Sequence, residues 1–286
     1  MPERVPVSVV IPTVGRGDLL SACLESLAAC DPAAAEIILV DQSGDTSVAD
    51  EAQRFSHAGA RALPSSGRGI ALAMNEGMRA ASHDLVLVTH DDCTVAPDWV
   101  VRAHELMTAD PEQIVTGRVV PVGDDPESVP SIKDDPTPCD FDANSYPGVL
   151  WPANMAASRS RVLEFGGFDE RFTLAAEDTD LSYRWLRAGR PLRYRPEMVV
   201  WHHDWRAPDG LRRAYLAYHR GQGHFFAKHL RQGDRRMLRY LAQEYYGSIR
   251  FLPRQIRKRL SGRVDRNYGV WRGVTAGFLS GWRIYG

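Results

Sequence analysis

Three short clusters in this chain hold residues able to do acid–base or metal chemistry: His90-Asp91-Asp92-Cys93, Glu177-Asp178 and His202-His203. Divalent cations such as Mg2+ or Mn2+ take oxygen ligands and bridge the phosphate oxygens of a nucleotide, so the adjacent carboxylates Asp91 and Asp92 suit one. The plain alternative for an Asp-Asp pair is a solvated turn. Glu177 and Asp178 open a stretch of helical spacing, where carboxylates also complement the helix N-terminus. Asp41 heads Asp41-Gln42-Ser43-Gly44-Asp45, which is turn chemistry in its own right.

These clusters need elements to hold them, and the first half of the chain supplies a pattern. Short apolar runs at Val7–Ile11, Ile37–Val40 and Leu85–Thr89 read as strands. Apolar residues at helical spacing fill Asp18–Ala29, Val48–Phe55 and Gly69–Ala81, and Pro97 stands at the first turn of another helix, DWVVRAHELM. Strands alternating with helices imply a mostly parallel sheet covered on both faces, with ligands beyond the carboxyl ends of the strands. Pro12–Arg16, Asp41–Asp45 and His90–Cys93 each follow an apolar run, so three polar clusters fall along one sheet edge. Residues 121–148 are rich in Pro and Asp and read as a long loop, of the kind that is functional or disordered. Beyond it the pattern predicts order at Trp151–Ala157 and a helix at Arg159–Phe165. A second helix follows over Asp178–Ala188, stopped by Gly189, and then short strands at Leu192–Tyr194 and Met198–Trp201. From Asp209 onward the pattern is helical, arginine-rich and aromatic.

The 286 residues, 44% hydrophobic and 25% charged, are ordinary for a globular protein. The four cysteines form no CxxC pair and no zinc spacing, and read as reduced thiols of a cytosolic compartment. No charged and then apolar leader precedes the first strand, and no apolar run is long enough to span a bilayer. The net charge of −1 conceals an asymmetry. Residues 1–204 hold 17 Lys and Arg against 32 Asp and Glu, whereas residues 205–286 hold 18 against 4. Such a basic tail either packs on the acidic body or awaits an anionic partner.

The order of motifs resembles the family 2 glycosyltransferases. The matching segments are VVIPTVGR, LVDQSGD, GIALAMNEGM, LVTHDDCTVAPDW, PANMAASRSRVLEFGGFDERF, AAEDTDLSYRWLRAG and VVWHH, spread over about residues 5–204. The resemblance implies an α/β, GT-A-type nucleotide-binding sandwich with a mostly parallel central sheet over 1–204, and leaves 205–286 as a basic, helical C-terminal extension. It implies an inverting hexosyl- or deoxyhexosyltransferase dependent on Mn2+ or Mg2+. Its donor would be a nucleotide sugar, UDP- or dTDP-type by family habit, and its acceptor a saccharide, a lipid-linked sugar or a small molecule. The family carries an acidic triplet where this chain has His90-Asp91-Asp92-Cys93. In one frame His90 replaces the first acid and Asp92 is the metal ligand. In the other, Cys93 takes the metal position, which a hard cation disfavours. The first frame is preferred.

The same resemblance assigns Pro12, Thr13, Arg16 and Asp91 to the nucleotide pocket and Asp41 to the nucleobase, where an acceptor-only carboxylate suits the imide N–H of uracil or thymine. Arg68 and Asn75 fall where the family contacts nucleotide and metal-side groups, although Asn75 reads equally well as a plain helix residue. Asp178 is implied as the general base that takes the acceptor proton, with Glu177 positioning acceptor or base. His202, more than His203, matches a histidine that some members use on the metal. Trp151, Asn154 and Met155 resemble the acceptor wall, where a tryptophan stacks on a sugar or simply packs in the core.

Arginines and aromatics interleave along the tail, as in basic amphipathic helices that lie on anionic membranes. The expected location is therefore cytoplasmic, with the inner membrane face as a peripheral site. A homodimer contact would explain the aromatics as well, and no nucleic-acid motif is present. Two rival functions remain: a nucleotidyltransferase, whose glycine-rich phosphate loop is missing here, and a non-catalytic nucleotide-binding homologue whose altered triplet has lost metal.

Overall fold

The computed structural model describes residues 4–123, 129–173, 175–203 and 205–286. Its first half follows the predicted alternation. Strand β1 (Arg4–Thr13) leads to α1 (Asp18–Ala28), β2 (Ala33–Asp41), α2 (Ser47–Arg54), β3 (Ala60–Pro64), α3 (Ile70–Ala80) and β4 (Leu85–Val88). Then come β5 (Cys93–Val95), α4 (Trp99–Ala109), β6 (Ile114–Val122), β7 (Cys139–Phe141), β8 (Met155–Ser158), α5 (Arg159–Glu164), α6 (Glu177–Arg187) and β9 (Leu192–His203). Helices α7 (Pro208–Arg231), α8 (Arg236–Arg250), α9 (Leu252–Leu260) and α10 (Val270–Ile284) close the chain.

The nine strands form one sheet in the order β3-β2-β1-β4-β8-β6-β9-β5, with β7 on β9. Strands β3, β2, β1 and β4 are mutually parallel, and β6 and β9 run the same way, while β8, β5 and β7 oppose them. The sheet is thus mostly parallel and covered on both faces. Successive side chains of a strand point to opposite faces. Accordingly Val7, Val9 and Ile11 of β1 enter one core with Leu20, Leu24 and Leu27 of α1 and Trp99 of α4. Val10 enters the other core with Met74 of α3 and Trp185 of α6. Burial on both faces is why these strands read as near-continuous apolar runs, Ser8 of β1 being an exception.

Five strands were not anticipated, β8 among them, where the sequence predicted order without naming a strand. β3, β5 and β7 span only five, three and three residues, too short for a periodic signal. β6 carries Gly117 and Pro121 within its run. Conversely, the two strands expected at Leu192–Tyr194 and Met198–Trp201 are one twelve-residue strand. Its pairing with β6 skips from Gly117–Arg195 to Arg118–Val199, which accommodates Pro196, a residue with no N–H to give to the ladder. Pro97 precedes α4 rather than lying in its first turn. Asp18 is a first-turn acid of α1, whose N-cap is Gly17. Of the long loop, residues 124–128 lie outside the description, and the rest is ordered by a bridge between Val119 and Lys133 and by β7.

Residues on both sides of the expected 204/205 boundary share a core; residue 204 itself lies outside the description. A third core joins Phe172, Ala176 and Tyr183 to Phe225 and Phe226 of α7, Met237 and Tyr240 of α8, and Val274 of α10. Helix α10 lies against α7 through Gly273, Gly277 and Gly281, and a Cβ at Gly277 would stand 1.9 Å from the Arg220 carbonyl oxygen. A buried ionic cluster completes the union. Lys228 of α7 donates to Asp180 of α6 at 2.6 Å and to Asp169 at 2.8 Å, and His229 Nε2 lies 2.9 Å from Asp180. Arg184 donates to the other Asp180 oxygen at 2.7 Å. Burial alone would raise the Asp180 pKa, but His229, Lys228 and Arg184 outweigh it and bring it down to about 2. Part of the tail's positive charge therefore packs on the acidic body, as one of the two sequence readings allows.

Removing one member of such a cluster leaves a buried charge without its partner. Lys228→Met is expected to lower stability by about 3–5 kcal/mol in urea denaturation, well beyond the effect of replacing an exposed arginine such as Arg236.

Candidate functional site

The carboxyl ends of β1 and β4 and the start of α6 surround a cavity of about 330 Å³. Pro12, Thr13, Val14 and Arg16 line it from β1 and the turn that follows, and His90, Asp91 and Asp92 line it after β4. Glu177 and Asp178 close it from α6, His202 from the end of β9, and Arg206 and Tyr218 from the C-terminal region. All three clusters singled out in the sequence thus contribute to one cavity.

Strand pairing explains the meeting of Asp92 and His202. Cys93 is the register partner of His202 in the antiparallel β5–β9 ladder, and His203 N–H donates to the Asp92 carbonyl at 3.0 Å. Asp92 Oδ1 then lies 3.4 Å from His202 Nε2, and both side chains are 3% exposed. Trp205 Nε1 donates to the other Asp92 oxygen at 2.8 Å, and Arg206 Nη2 stands 3.7 Å from it. Burial pushes the Asp92 carboxyl up, but His202, His90 and Arg16 together hold it well below the usual carboxylate range. Asp92 is ionised.

The fit to a divalent cation can be read from the donors. Asp92, Cys93 and His202 each offer an atom within 4.8 Å of the others. Cys93 does not line the cavity, and burial keeps its thiol protonated by raising its pKa. His202 is buried, its Nδ1 has no hydrogen-bond partner, and its Nε2 meets the Asp92 carboxylate at 3.4 Å, longer than a good hydrogen bond. A buried carboxylate beside such an imidazole fits Mn2+ or Mg2+ coordination, the imidazole favouring Mn2+. Asp92, rather than Cys93, stands at the cavity, in keeping with the preferred frame. His90 also faces the cavity as a neutral ring, since burial lowers its pKa to about 4.

Asp91 is fully buried and turned to β1. It accepts from Thr13 Oγ1 at 2.7 Å and pairs with Arg16. Arg16 in turn lies over the Trp205 ring at 4.8 Å, with Arg206 over the same ring at 4.3 Å. The N-terminal strand, the Asp91-Asp92 turn and the start of the C-terminal region are thereby locked together.

At α6, Ala176 adopts a left-handed backbone, φ 75°, immediately before the helix. That strained residue turns the first two helical side chains towards the cavity. Asp178 Oδ1 accepts from Thr179 N–H at 2.6 Å and from its hydroxyl at 3.3 Å. Glu177 is buried, and its Oε2 has no hydrogen-bond partner. Burial raises both carboxyl pKa values, and the charge of Asp178 lifts Glu177 further. A second cavity of about 260 Å³ lies on the other side of Asp178, lined by Ser131, Tyr146, Thr179, Tyr218, Gln222 and Phe225 among others. Asp178 and Tyr218 belong to both cavities.

Several expected site residues lie elsewhere. Asn75 is buried and clasps the Gly167-Phe168 turn, donating to the Phe168 carbonyl at 2.9 Å and accepting its N–H at 3.0 Å. Asn154 is fully buried: its amide donates to the carbonyls of Arg118 and Met198, both at 2.9 Å, and accepts from Trp99 Nε1 at 2.8 Å. Trp151 is half-buried against the core and meets Tyr194 edge-on, and Met155 is core. None of these four lines either cavity; their immediate neighbours Pro152 and Ala153 line the first. Arg68 is exposed outside both cavities. Asp41 Oδ1 holds the backbone and hydroxyl of Ser43, and it is Gln42 that faces the cavity. Sequence reading did not single out Trp205, Arg206, Tyr218 or Tyr146 as site residues. Tyr218 falls in the arginine- and aromatic-rich pattern that begins at Asp209 and Tyr146 in the Pro- and Asp-rich loop, whereas Trp205 and Arg206 lie in neither.

Residues 8–160 match the sequence family described as Glycosyl transferase family 2. No curated protein matches the chain at a significant level. Among solved structures, the chain is similar to GalNAc-T7 with UDP, GalNAc and Mn2+, at 17% identity and TM-score 0.59, over 78% of this chain and 50% of that one. It is similar to the mannosyltransferase PcManGT from Pyrobaculum calidifontis in complex with GDP-Man and Mn2+, at 20% identity and TM-score 0.59, over 81% and 66%. It is also similar to S. aureus TarS 1-349 in complex with UDP-GlcNAc, at 15% identity and TM-score 0.56, over 77% and 65%. The chain thus spans half of the first structure and about two thirds of the other two. At these identities the likeness establishes a common fold.

The raised pKa of Glu177 makes a signed prediction. The folded state holds this proton more tightly than the unfolded chain, so the contribution to stability is full at acid pH. It is lost as pH rises from the ordinary glutamate value of about 4.3. Relative to Glu177→Gln, the wild-type Tm should fall steadily between that value and neutrality in thermal scans; a constant difference would contradict the burial effect.

Proposed function

We propose that this chain, which belongs to glycosyl transferase family 2, is an inverting glycosyltransferase that moves a sugar from a nucleoside-diphosphate sugar to an acceptor hydroxyl. The observation that carries the mechanism is the position of Asp178 between two cavities. A base that serves transfer between two substrates must touch the space of both. The first cavity takes the donor. Pro12, Thr13 and Gln42 flank its nucleoside. The bound UDP, GDP-Man and UDP-GlcNAc of the similar structures support this class of donor.

The acceptor, a saccharide, a lipid-linked sugar or a small molecule, enters the second cavity between Tyr146 and Tyr218. Asp178 takes the proton of its hydroxyl while that oxygen attacks the anomeric carbon from the face opposite the diphosphate. The new carbon–oxygen bond forms as the bond to the phosphate oxygen breaks, and the diphosphate leaves with the electron pair. The raised pKa of Asp178 suits a base that must accept a proton near neutrality. Glu177, which lines the first cavity beside it, positions acceptor or base. Asp92 and His202 would hold Mn2+ or Mg2+, which when bound neutralises charge on the departing diphosphate. Mn2+ in two of the similar structures supports that choice, and Arg206 adds fixed positive charge to the same wall.

Asp178→Asn is expected to retain UDP or UDP-sugar binding in calorimetry while transfer falls by at least about a hundredfold, the usual scale of a lost general base. Donor-site occupancy without that loss would remove Asp178 from the role of base. Asp92→Asn should weaken UDP binding at least about tenfold with Mn2+ present and much less in chelator. Binding by the wild type that ignores Mn2+, with no hydrolysis of any UDP- or dTDP-sugar, would support a non-catalytic nucleotide-binding protein instead.

A further inference from the structure

Twelve of the sixteen exposed large apolar side chains lie between Leu238 and Ile284, among the described residues. They are not scattered. On α8, Leu238, Tyr246 and Ile249 follow at helical spacing, on α9 Leu252, Ile256 and Leu260, and on α10 Trp271, Leu279 and Trp282. Spacings of three, four, eight and eleven residues put each set on one side of its helix. Exposed arginines flank every set: Arg239 and Arg250, Arg257 and Arg259, Arg272 and Arg283. Residues 235–286 hold 12 Lys and Arg against 2 Asp and Glu.

Between α7 and α9 this region also contains a cavity of about 640 Å³. Leu252, Ile256 and Tyr268 form apolar wall, while Arg212, Arg259 and Arg263 supply charge. Its two acids are already engaged, Asp209 by Arg212 at 2.6 Å and Asp265 by Arg254 at 3.1 Å. Apolar wall beside guanidinium groups is chemistry for an amphiphile with an anionic phosphate.

We propose that the outward sides of α8, α9 and α10 seat the chain on an anionic lipid bilayer, with a lipid phosphate entering the arginine-lined cavity between α7 and α9. Apolar rows flanked by arginine match what an interfacial helix needs: side chains that enter the acyl boundary and cations that meet the headgroups. A second copy of the chain is a poorer occupant, since a two-fold contact would set this arginine-rich surface against itself. Nucleic acid would use the arginines but leave the leucine, isoleucine and tryptophan rows in water. The inference does not depend on glycosyl transfer.

Flotation of the full chain with phosphatidylcholine vesicles, with and without phosphatidylglycerol, tests it. The chain should float with the anionic vesicles at low salt, release as salt rises, and stay unbound with neutral ones. Two sets of exposed substitutions, Leu252→Ser with Ile256→Ser and Leu260→Ser, and Arg257→Glu with Arg259→Glu, should each lower partitioning at least about tenfold. Circular dichroism should show the fold unchanged in both. Glycerol phosphate in solution should compete weakly, because it brings the phosphate without the bilayer. No flotation at low salt, equal flotation with neutral vesicles, or tight glycerol phosphate binding without vesicle binding would each overturn the proposal. So would a dimer in light scattering that the serine variant converts to monomer.

Discussion

Asp180 is a fully buried carboxylate with cations on both of its oxygens, and the shape of the site depends on it. Lys228 and His229 reach it from α7 and Arg184 from its own helix. Leaving a buried charge unpaired costs several kcal/mol, so α6 and α7 hold one mutual position. Asp178 lies half a turn upstream of Asp180, and its direction is set by the same constraint. Lys228 also holds Asp169, whose chain neighbour Phe168 is clasped by Asn75 of α3. One ammonium group therefore ties the last part of the fold to α6 and to the turn that α3 clasps.

Close backbone packing adds to that ionic lock. A Cβ at Gly221 would stand 2.3 Å from the carbonyl oxygen of Ala175, so α7 lies directly on the turn that throws Glu177 and Asp178 into the cavity. The left-handed backbone of Ala176 is sustained by this contact and by the apolar cluster around it. On the opposite wall, the β5–β9 ladder sets Asp92 beside His202, and Trp205 and Arg206 crowd the same carboxylate, while Arg16, paired with Asp91, lies over Trp205. Both walls thus require residues beyond 204. The C-terminal region combines two kinds of surface: an inner side of α7 that completes the site, and outer sides of α8–α10 rich in arginine and exposed apolar residues.

Much of the first half was legible because its strands are buried on both faces. Ile37–Val40 and Leu85–Val88 are apolar throughout, as is Val7–Ile11 except for Ser8, whose hydroxyl donates to Glu36, and polar residues cluster where the strands leave the core. That transition alone located Thr13, Arg16, Asp91 and Asp92 at the cavity. It failed for Asp41, which turns to Ser43, and the family resemblance pointed to Asn154 and Asn75, which do not line the cavity either. Each amide satisfies backbone groups inside the protein, and a residue that completes hydrogen bonds in a core has the same letter as one that meets a ligand. Trp151 illustrates the same limit, since its neighbours and not its type decide that it packs on Tyr194.

Local chemistry written in consecutive residues could be read directly from the chain: the alternation of strand and helix, the acidic pairs at element ends, and the charge contrast between body and tail. Only the tertiary structure decided which of those groups meet. The register of β5 on β9 brought His202 to Asp92, the Lys228–Asp180 pair brought α7 and Tyr218 to Asp178, and burial set the protonation of His90, Glu177 and Cys93. The physical reason is range. Periodicity and capping act over a few residues, whereas cavity walls, ion pairs and desolvation depend on segments that approach only after the chain has folded.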